Sequence, residues 1–168
     1  MADLQVDEAT QARARTAWLA RQAHEEATFV GVLVDLAERE RPVLIDTTTG
    51  RHHSGRLRVV GEDFCCLRTP REVDVLVHYG AVTSVRPAPH EPGPAGDRLL
   101  APIVTLRAAL SALAGTEARV VVTPTAGAGL RGELRSVGLD VVVVRLDDGR
   151  AAYVRLASVA EVSVVESG

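Results

Sequence analysis

The chain has 168 residues, of which 24% are charged and 3% aromatic, and its formal net charge is −3 at pH 7. This length accommodates one medium-sized domain or two small ones. The negative charge argues against a strong polyanion binder, because nucleic-acid-binding domains usually carry a clustered positive excess, and the low aromatic content argues against extensive base stacking.

The N-terminal region predicts helix. From Asp7 to about Arg41 there is no proline, alanine is frequent, and apolar residues including Trp18 recur at helical spacing. Gly31 and its β-branched neighbours leave two alternatives, one long rod or a polar helix followed by a shorter apolar helix that ends before Pro42. Trp18 is expected to anchor this segment on the rest of the fold or on a neighbouring chain.

Targeting and redox signals are few. The first 15 residues contain acidic side chains and no continuous apolar run, so we expect no secretory signal. No segment approaches the roughly 20 apolar residues of a membrane span. Cys65 and Cys66 are adjacent in a predicted strand, which makes a disulfide between them improbable and favours small core side chains. These features predict a soluble, cytoplasmic protein with no membrane contact.

Ten short β-rich runs separated by tight turns follow the N-terminal helical region, five in each half of the chain. In the first half the predicted strands are Val43 to Thr47, Ser54 to Val60, Phe64 to Arg68, Val73 to Tyr79 and Val82 to Arg86. A helix from Val104 to Ala114, with Gly115 as its C-cap, opens the second half. The strands that follow are Arg119 to Thr123, Leu130 to Val137, Val141 to Leu146, Arg150 to Leu156 and Val159 to Val165.

The two halves are an internal repeat. Residues 43–86 align with residues 120–163 at a constant offset of 77 without a gap. The 13 identical pairs are Val43/Val120, Thr48/Thr125, Gly50/Gly127, Gly55/Gly132, Leu57/Leu134, Arg58/Arg135, Val60/Val137, Gly61/Gly138, Asp63/Asp140, Arg68/Arg145, Val77/Val154, Val82/Val159 and Val85/Val162. Most of these residues determine backbone geometry and core packing, so the repeat predicts one small fold made twice.

The predicted organisation has four parts. They are an N-terminal helix (1–27), a first unit of helix plus strands (28–87), a Pro/Gly-rich linker (88–102) and a second unit (103–165). The fold class is mainly β with N-terminal helices (α+β). Gly55 and Gly132 near the start of the long second strand of each unit would allow the bend that closes a small barrel.

The repeated pattern resembles the Sm/LSm fold, which is shared with the bacterial RNA chaperone Hfq. The resemblance rests on Gly50 to Leu57, Asp63 and Val77 to Pro87 in the first unit, and on Gly127, Gly132 to Leu134, Asp140 and Val154 to Val159 in the second. It implies two SH3-like five-stranded small β-barrels in tandem, each preceded by a helix. The layout also resembles a group of actinobacterial two-barrel proteins.

The positions that contact RNA in this family carry other residues here. The uridine-binding Asn would fall near Leu67 and Val144, and Tyr79-Gly80 stands at the Lys-His position of Hfq. Arginines identical in the two units would form a phosphate-binding stripe if they lined one rim. The alternative is cross-strand ion pairs with Asp63 and Asp140 or with Glu62 and Glu133. The candidate nucleic-acid-binding residues are Arg58, Arg68, Arg135, Arg145, Arg155 and Tyr79.

Catalytic and metal patterns are weak. His52-His53 with Cys65, Cys66, His78 and His90 follow no zinc-ligand spacing, and we find no nucleophile beside a base, no paired carboxylates and no phosphate-binding Gly-rich loop. We therefore predict a non-enzymatic Sm-like module without cofactor or metal. One hypothesis is a module that binds RNA in a post-transcriptional role. The other is a scaffold that self-associates or binds protein through its sheet edges and N-terminal helix, without nucleic acid.

Overall fold

The computed structural model describes residues 2–96 and 103–165, and this part of the chain contains three helices and ten strands. The helices are α1 (Ala2–Glu25), α2 (Phe29–Glu38) and α3 (Leu106–Ala114). In the first unit the strands are β1 (Val43–Thr47), β2 (His52–Val60), β3 (Phe64–Arg68), β4 (Asp74–His78) and β5 (Val82–Pro87). In the second they are β6 (Arg119–Pro124), β7 (Leu130–Val137), β8 (Val141–Leu146), β9 (Ala151–Arg155) and β10 (Val159–Val165).

The N-terminal region forms two helices, which decides between the two predicted alternatives. The break falls before Thr28, whose extended backbone and side chain cap α2 by accepting a hydrogen bond from the Gly31 amide at 3.0 Å. Thr105 caps α3 in the same way on Ala108, at the same offset of 77. The repeat therefore begins at the helix cap, earlier than the strands indicate.

All ten strands form one open antiparallel sheet, in the order β5-β1-β2-β3-β4-β10-β6-β7-β8-β9. The prediction of two closed five-stranded small barrels in tandem is therefore wrong. Each unit has the same internal strand order, but β4 pairs with β10 of the other unit, from Asp74↔Val164 to Val77↔Glu161. The exposed backbone groups of a strand edge need hydrogen-bonding partners. Pairing with β10 of the second unit supplies them for β4, just as closure of the first unit into a barrel would have done.

The two units also share their interior, because β3 and β4 contribute side chains to two hydrophobic cores. Cys65, Leu67, Val75 and Val77 pack with α2 and β1 of the first unit. The alternate residues Phe64, Cys66 and Leu76 belong to the core of the second unit. Successive side chains of a strand point to opposite faces, so one pair of strands forms a wall of both cores.

Two structural details repeat at the same offset. An alanine Cβ at Gly55 would lie 2.4 Å from the carbonyl oxygen of Arg68, and one at Gly132 would lie 2.1 Å from that of Arg145. These glycines allow neighbouring backbones to approach closely. The pairing of β2 with β3 shifts register at Arg58, and that of β7 with β8 shifts at Arg135. Both arginines therefore lie at β-bulges.

Within residues 2–96 and 103–165, no helix is both long and apolar enough to span a membrane.

The C-cap predicted at Gly115 is present at the end of α3. The end of the predicted linker, residues 97–102, lies outside the described residues.

Candidate functional site

The free edges of the sheet are β5 and β9. By the repeat, β5 is the equivalent of β10, and β9 is the equivalent of β4. The two strands that lack a partner on one side are thus the counterparts of the two that pair with each other at the junction between units. The same kind of junction can form again between β9 of one copy and β5 of another.

The repeat also defines the register of such a second junction. Within the chain, Leu76 of β4 pairs with Val162 of β10. Adding 77 to the first number and subtracting 77 from the second pairs Tyr153 with Val85. The repeat alignment therefore gives β9 and β5 of two copies the same antiparallel direction and the same residue register as β4 and β10 within the chain.

Burial differs sharply between the equivalent positions. Leu76 is 5% exposed at the junction, whereas its counterpart Tyr153 is 73% exposed on the free edge. Phe64 and Cys66 are buried in the second core, whereas their counterparts Val141 and Val143 are only partly buried. The outer face of β8 and β9 therefore displays apolar side chains. Their equivalents on β3 and β4 are covered by the second unit. Leu139, in the turn before β8, is also apolar and is 85% exposed.

A polar cluster lies at the other free edge, on β1, β2 and β5. Asp46 Oδ2 accepts hydrogen bonds from Ser84 at 2.6 Å and from Arg86 at 2.8 Å, and His52 Nδ1 lies 2.5 Å from Asp46 Oδ1. The hydrogen bonds from Ser84 and His52 and the Arg86 charge lower the pKa of Asp46 to about 2. Because the Ser84 hydroxyl donates to Asp46 and not to His52, this arrangement differs from the serine–histidine pair of a hydrolase.

The junction between units contains a polar cluster in which the buried Glu161 and His53 meet the half-exposed Arg51. Glu161 on β10 is 0% exposed, and its Oε2 lies 2.8 Å from Nε2 of His53 on β2. Arg51 Nε lies 2.8 Å from Oε1, outside hydrogen-bonding geometry. The counterparts of these residues are Ser84, Leu130 and Ala128. The cluster is therefore specific to the junction inside the chain.

Most of the predicted arginines are held by carboxylates. Arg68 donates from Nε and Nη2 to Asp74, both at 2.7 Å, and lies near Glu72. Arg145 donates to Glu133 at 2.6 Å, and Arg135 donates to the other oxygen of Glu133. These contacts match the ion-pair alternative for Glu133, while Arg68 pairs with Asp74 and not with Asp63 or Glu62.

Of the other three predicted site residues, Arg58 lies near Arg68, whereas Arg155 and Tyr79 are elsewhere. Arg58, on β2, lines a surface groove of about 400 Å³ with Arg56 and Arg68. Arg155, at the end of β9, is exposed. Among the described residues neither Arg58 nor Arg155 makes an ion pair.

Tyr79 has a packing role. Its hydroxyl donates to the Gly61 carbonyl at 2.7 Å, its ring meets Phe29 edge-on at 5.6 Å between centroids, and burial raises its pKa. It therefore joins the start of α2 to the turn between β2 and β3. The structure does not gather the six predicted residues into one surface.

The cysteines and histidines do not converge. In the part of the chain that the structure describes, no three His, Cys, Asp or Glu side chains are grouped as metal ligands. Cys65 and Cys66 are free and buried, and burial raises the pKa of each thiol to about 12. This agrees with their predicted role as core side chains.

Sequence reasoning missed the importance of β9, Tyr153 and Glu161. Tyr153 stands opposite Leu76 in the repeat alignment, and Glu161 stands opposite Ser84. Two sequence signals could have identified these residues: an aromatic residue on an edge strand where the other unit has leucine, and a carboxylate within an apolar strand where the other unit has serine.

No family model, curated protein or solved structure matches the chain.

Proposed function

We propose that this protein is a non-enzymatic assembly module whose copies join head to tail through their free sheet edges. The β9 edge of one copy receives β5 of the next, in the register that β4 and β10 adopt inside the chain. The observation that carries the proposal is the equivalence of the two free edges with the two strands of the internal junction.

The apolar side chains of β8 and β9 support this proposal. Val141, Val143 and Tyr153 would gain the cover that Phe64, Cys66 and Leu76 have at the internal junction. Burial of apolar surface favours association by roughly 25 cal/mol per Å², and edge pairing satisfies backbone groups on both copies. A head-to-tail contact is heterologous, so it produces a closed ring or an open filament according to the rotation between copies.

The junction between copies should be weaker than the junction inside the chain. At the positions that correspond to Glu161, His53 and Arg51 it has Ser84, Leu130 and Ala128, which cannot form an ion pair. Its two strands also belong to separate molecules, so association has to offset the loss of translational and rotational freedom. We therefore propose an association that depends on protein concentration.

Replacing Tyr153 with lysine should weaken self-association at least about tenfold, because a charged side chain on an edge strand opposes pairing with another strand. The Tm should stay the same, since Tyr153 is largely exposed. Sedimentation velocity over a range of protein concentrations measures the effect. Val6→Lys is the matched control, because Val6 is also an exposed apolar residue but lies on α1, and it should leave association unchanged. Equal association of all three proteins would refute the proposal.

RNA binding stays a prediction with less support. Of the six candidate residues, three arginines are paired with carboxylates and Tyr79 donates to a backbone carbonyl. Arg58 and Arg155 are at different strands, and the groove at Arg58 also contains Glu72. Edge-mediated assembly is therefore the function that these contacts favour.

A further inference from the structure

Helix α1 is exposed along almost its whole length, with only Ala23 partly buried. It spans 24 residues and buries none of them, and its large apolar side chains face solvent, with Trp18 56% exposed. In proteins most of the stability of a helix comes from packing of an apolar face against a partner. No residue of α1 is buried, so its apolar side chains are available to such a partner.

The apolar side chains of α1 are concentrated toward one face. At about 100° per residue, Trp18 lies about 40° to one side of Leu4 and Leu19 about 60° to the other. Val6 lies on the opposite face. Leu4 and Trp18 are separated by about 21 Å along the helix axis. They therefore provide one apolar side chain near each end of the same face.

Charges are segregated along the same helix. Asp7 and Glu8 flank the apolar face in the N-terminal half, and Arg15 lies on it in the C-terminal half. At the border of this face, Asp3 near the N-terminus and Arg21 near the C-terminus project in the same direction, about 100° from Leu4. Between Asp3 and Arg21 the face is thus acidic in its N-terminal half and basic in its C-terminal half, and Glu25 follows at the end of the helix.

We infer that α1 pairs with α1 of a second copy in antiparallel orientation, about a two-fold axis near Gln11. This arrangement places Leu4 of one copy beside Trp18 of the other, twice. It also places Glu8 beside Arg15 and Asp3 beside Arg21 across the interface. A parallel arrangement in register would instead oppose Arg15 to Arg15 and Asp7 to Asp7, and like charges repel.

This interface is independent of the sheet edges and rests on different residues. It is isologous, with the same surface on both copies, whereas the proposed edge contact is heterologous. A chain with both would link head-to-tail assemblies through pairs of N-terminal helices. Each contact can be removed by substitution without touching the other.

Trp18 is the only tryptophan of the chain, so its fluorescence reports directly on this interface. Emission of the full-length protein should shift to shorter wavelength as protein concentration rises, because pairing buries an exposed indole. Tyr153→Lys, which targets the edge, should leave this shift unchanged. A failure of edge assembly is thereby distinguished from a failure of helix pairing.

Charge reversal tests the orientation. Arg15→Glu should raise the concentration at the midpoint of the Trp18 shift by about tenfold or more, because it replaces two attractive contacts with two repulsive ones. Adding Asp7→Arg and Glu8→Arg to that variant should restore pairing. Arg13→Glu makes the same change of charge on the opposite face and should have no effect.

The inference is overturned if the emission of the native chain is independent of concentration. It is also overturned if Arg13→Glu and Arg15→Glu weaken pairing equally, or if the triple variant fails to recover. An unaffected Arg15→Glu variant would exclude the antiparallel arrangement. Far-ultraviolet circular dichroism of each variant verifies that α1 keeps its helicity.

Discussion

Replacing Gly132 with alanine is expected to lower the free energy of unfolding by about 3 kcal/mol, enough to threaten folding of a domain of ordinary stability. The added Cβ would lie 2.1 Å from the carbonyl oxygen of Arg145, 2.7 Å from its carbonyl carbon and 3.0 Å from the Cα of Leu146. The contact is with backbone and not with the end of a flexible side chain. Relief therefore requires β7 and β8 to separate at Gly132.

Urea unfolding followed by circular dichroism measures this effect. Gly55→Ala should cost a similar amount, because the equivalent Cβ would lie 2.4 Å from the Arg68 carbonyl oxygen. Gly93→Ala is the matched control, since nothing lies within 4 Å of its Cβ position, and its stability should change by less than about 0.5 kcal/mol. Equal stabilities for Gly93→Ala and Gly132→Ala would show that the close approach of the strands is absent.

Replacing His53 with alanine is expected to cost about 3 kcal/mol of stability, because it removes the hydrogen-bonding partner of the fully buried Glu161 carboxylate. Arg51 stays close to Oε1 but not in hydrogen-bonding geometry, so it does not replace the lost contact. The junction between β4 and β10 should loosen as a result. Hydrogen exchange of the β4 amides should accelerate together with the fall in stability.

A second substitution distinguishes the lost hydrogen bond to the carboxylate from lost packing. Glu161→Gln in the His53→Ala background should recover at least about 1 kcal/mol, because a buried neutral amide costs less than a buried carboxylate that has no hydrogen-bonding partner. His52→Ala serves as the control, since His52 is exposed and contacts Asp46 at the free edge. If the double variant is less stable than His53→Ala, the buried carboxylate is not the source of the effect.

The strands are predictable from sequence because local rules define them. Glycine turns and short branched apolar runs locate all ten strands to within two residues, as in Phe64–Arg68 and Val141–Leu146. The Thr28 cap decides the division of the N-terminal helices, and it becomes visible in the sequence once the repeat is extended back to Thr105. Local propensity and the repeat therefore determine the elements.

The arrangement of the units is not predictable in the same way. Pairing of β4 with β10 and closure of β4 within its own unit would satisfy the same backbone groups, and the apolar pattern of β4 is compatible with either. The distinguishing feature is long-range, since Glu161 meets His53 across 108 residues. Local patterns carry no information about such a contact, which is why the expectation of two closed barrels failed.

The candidate site shows a similar division. The Arg145 and Arg135 contacts with Glu133 follow from cross-strand neighbours and match one of the two predicted alternatives. Tyr79 instead packs edge-on against Phe29 of α2, 50 residues earlier in the sequence, and its hydroxyl donates to the Gly61 carbonyl. The free edges follow from the order of strands in the sheet, which depends on long-range pairing and is not encoded in local sequence patterns.

Disulfide cross-linking between Tyr153→Cys and Val85→Cys in one double variant tests the head-to-tail assembly most directly. In the proposed register these residues are directly opposite each other on neighbouring copies, within the Cα separation that a disulfide spans. Cys65 and Cys66 do not compete, because both are buried with a pKa of about 12. Mild oxidation should give a series of covalent oligomers on a non-reducing gel, while Tyr153→Cys with Ser84→Cys, one residue out of register, should stay largely monomeric. Equal cross-linking of both variants, or none with either, would contradict the account.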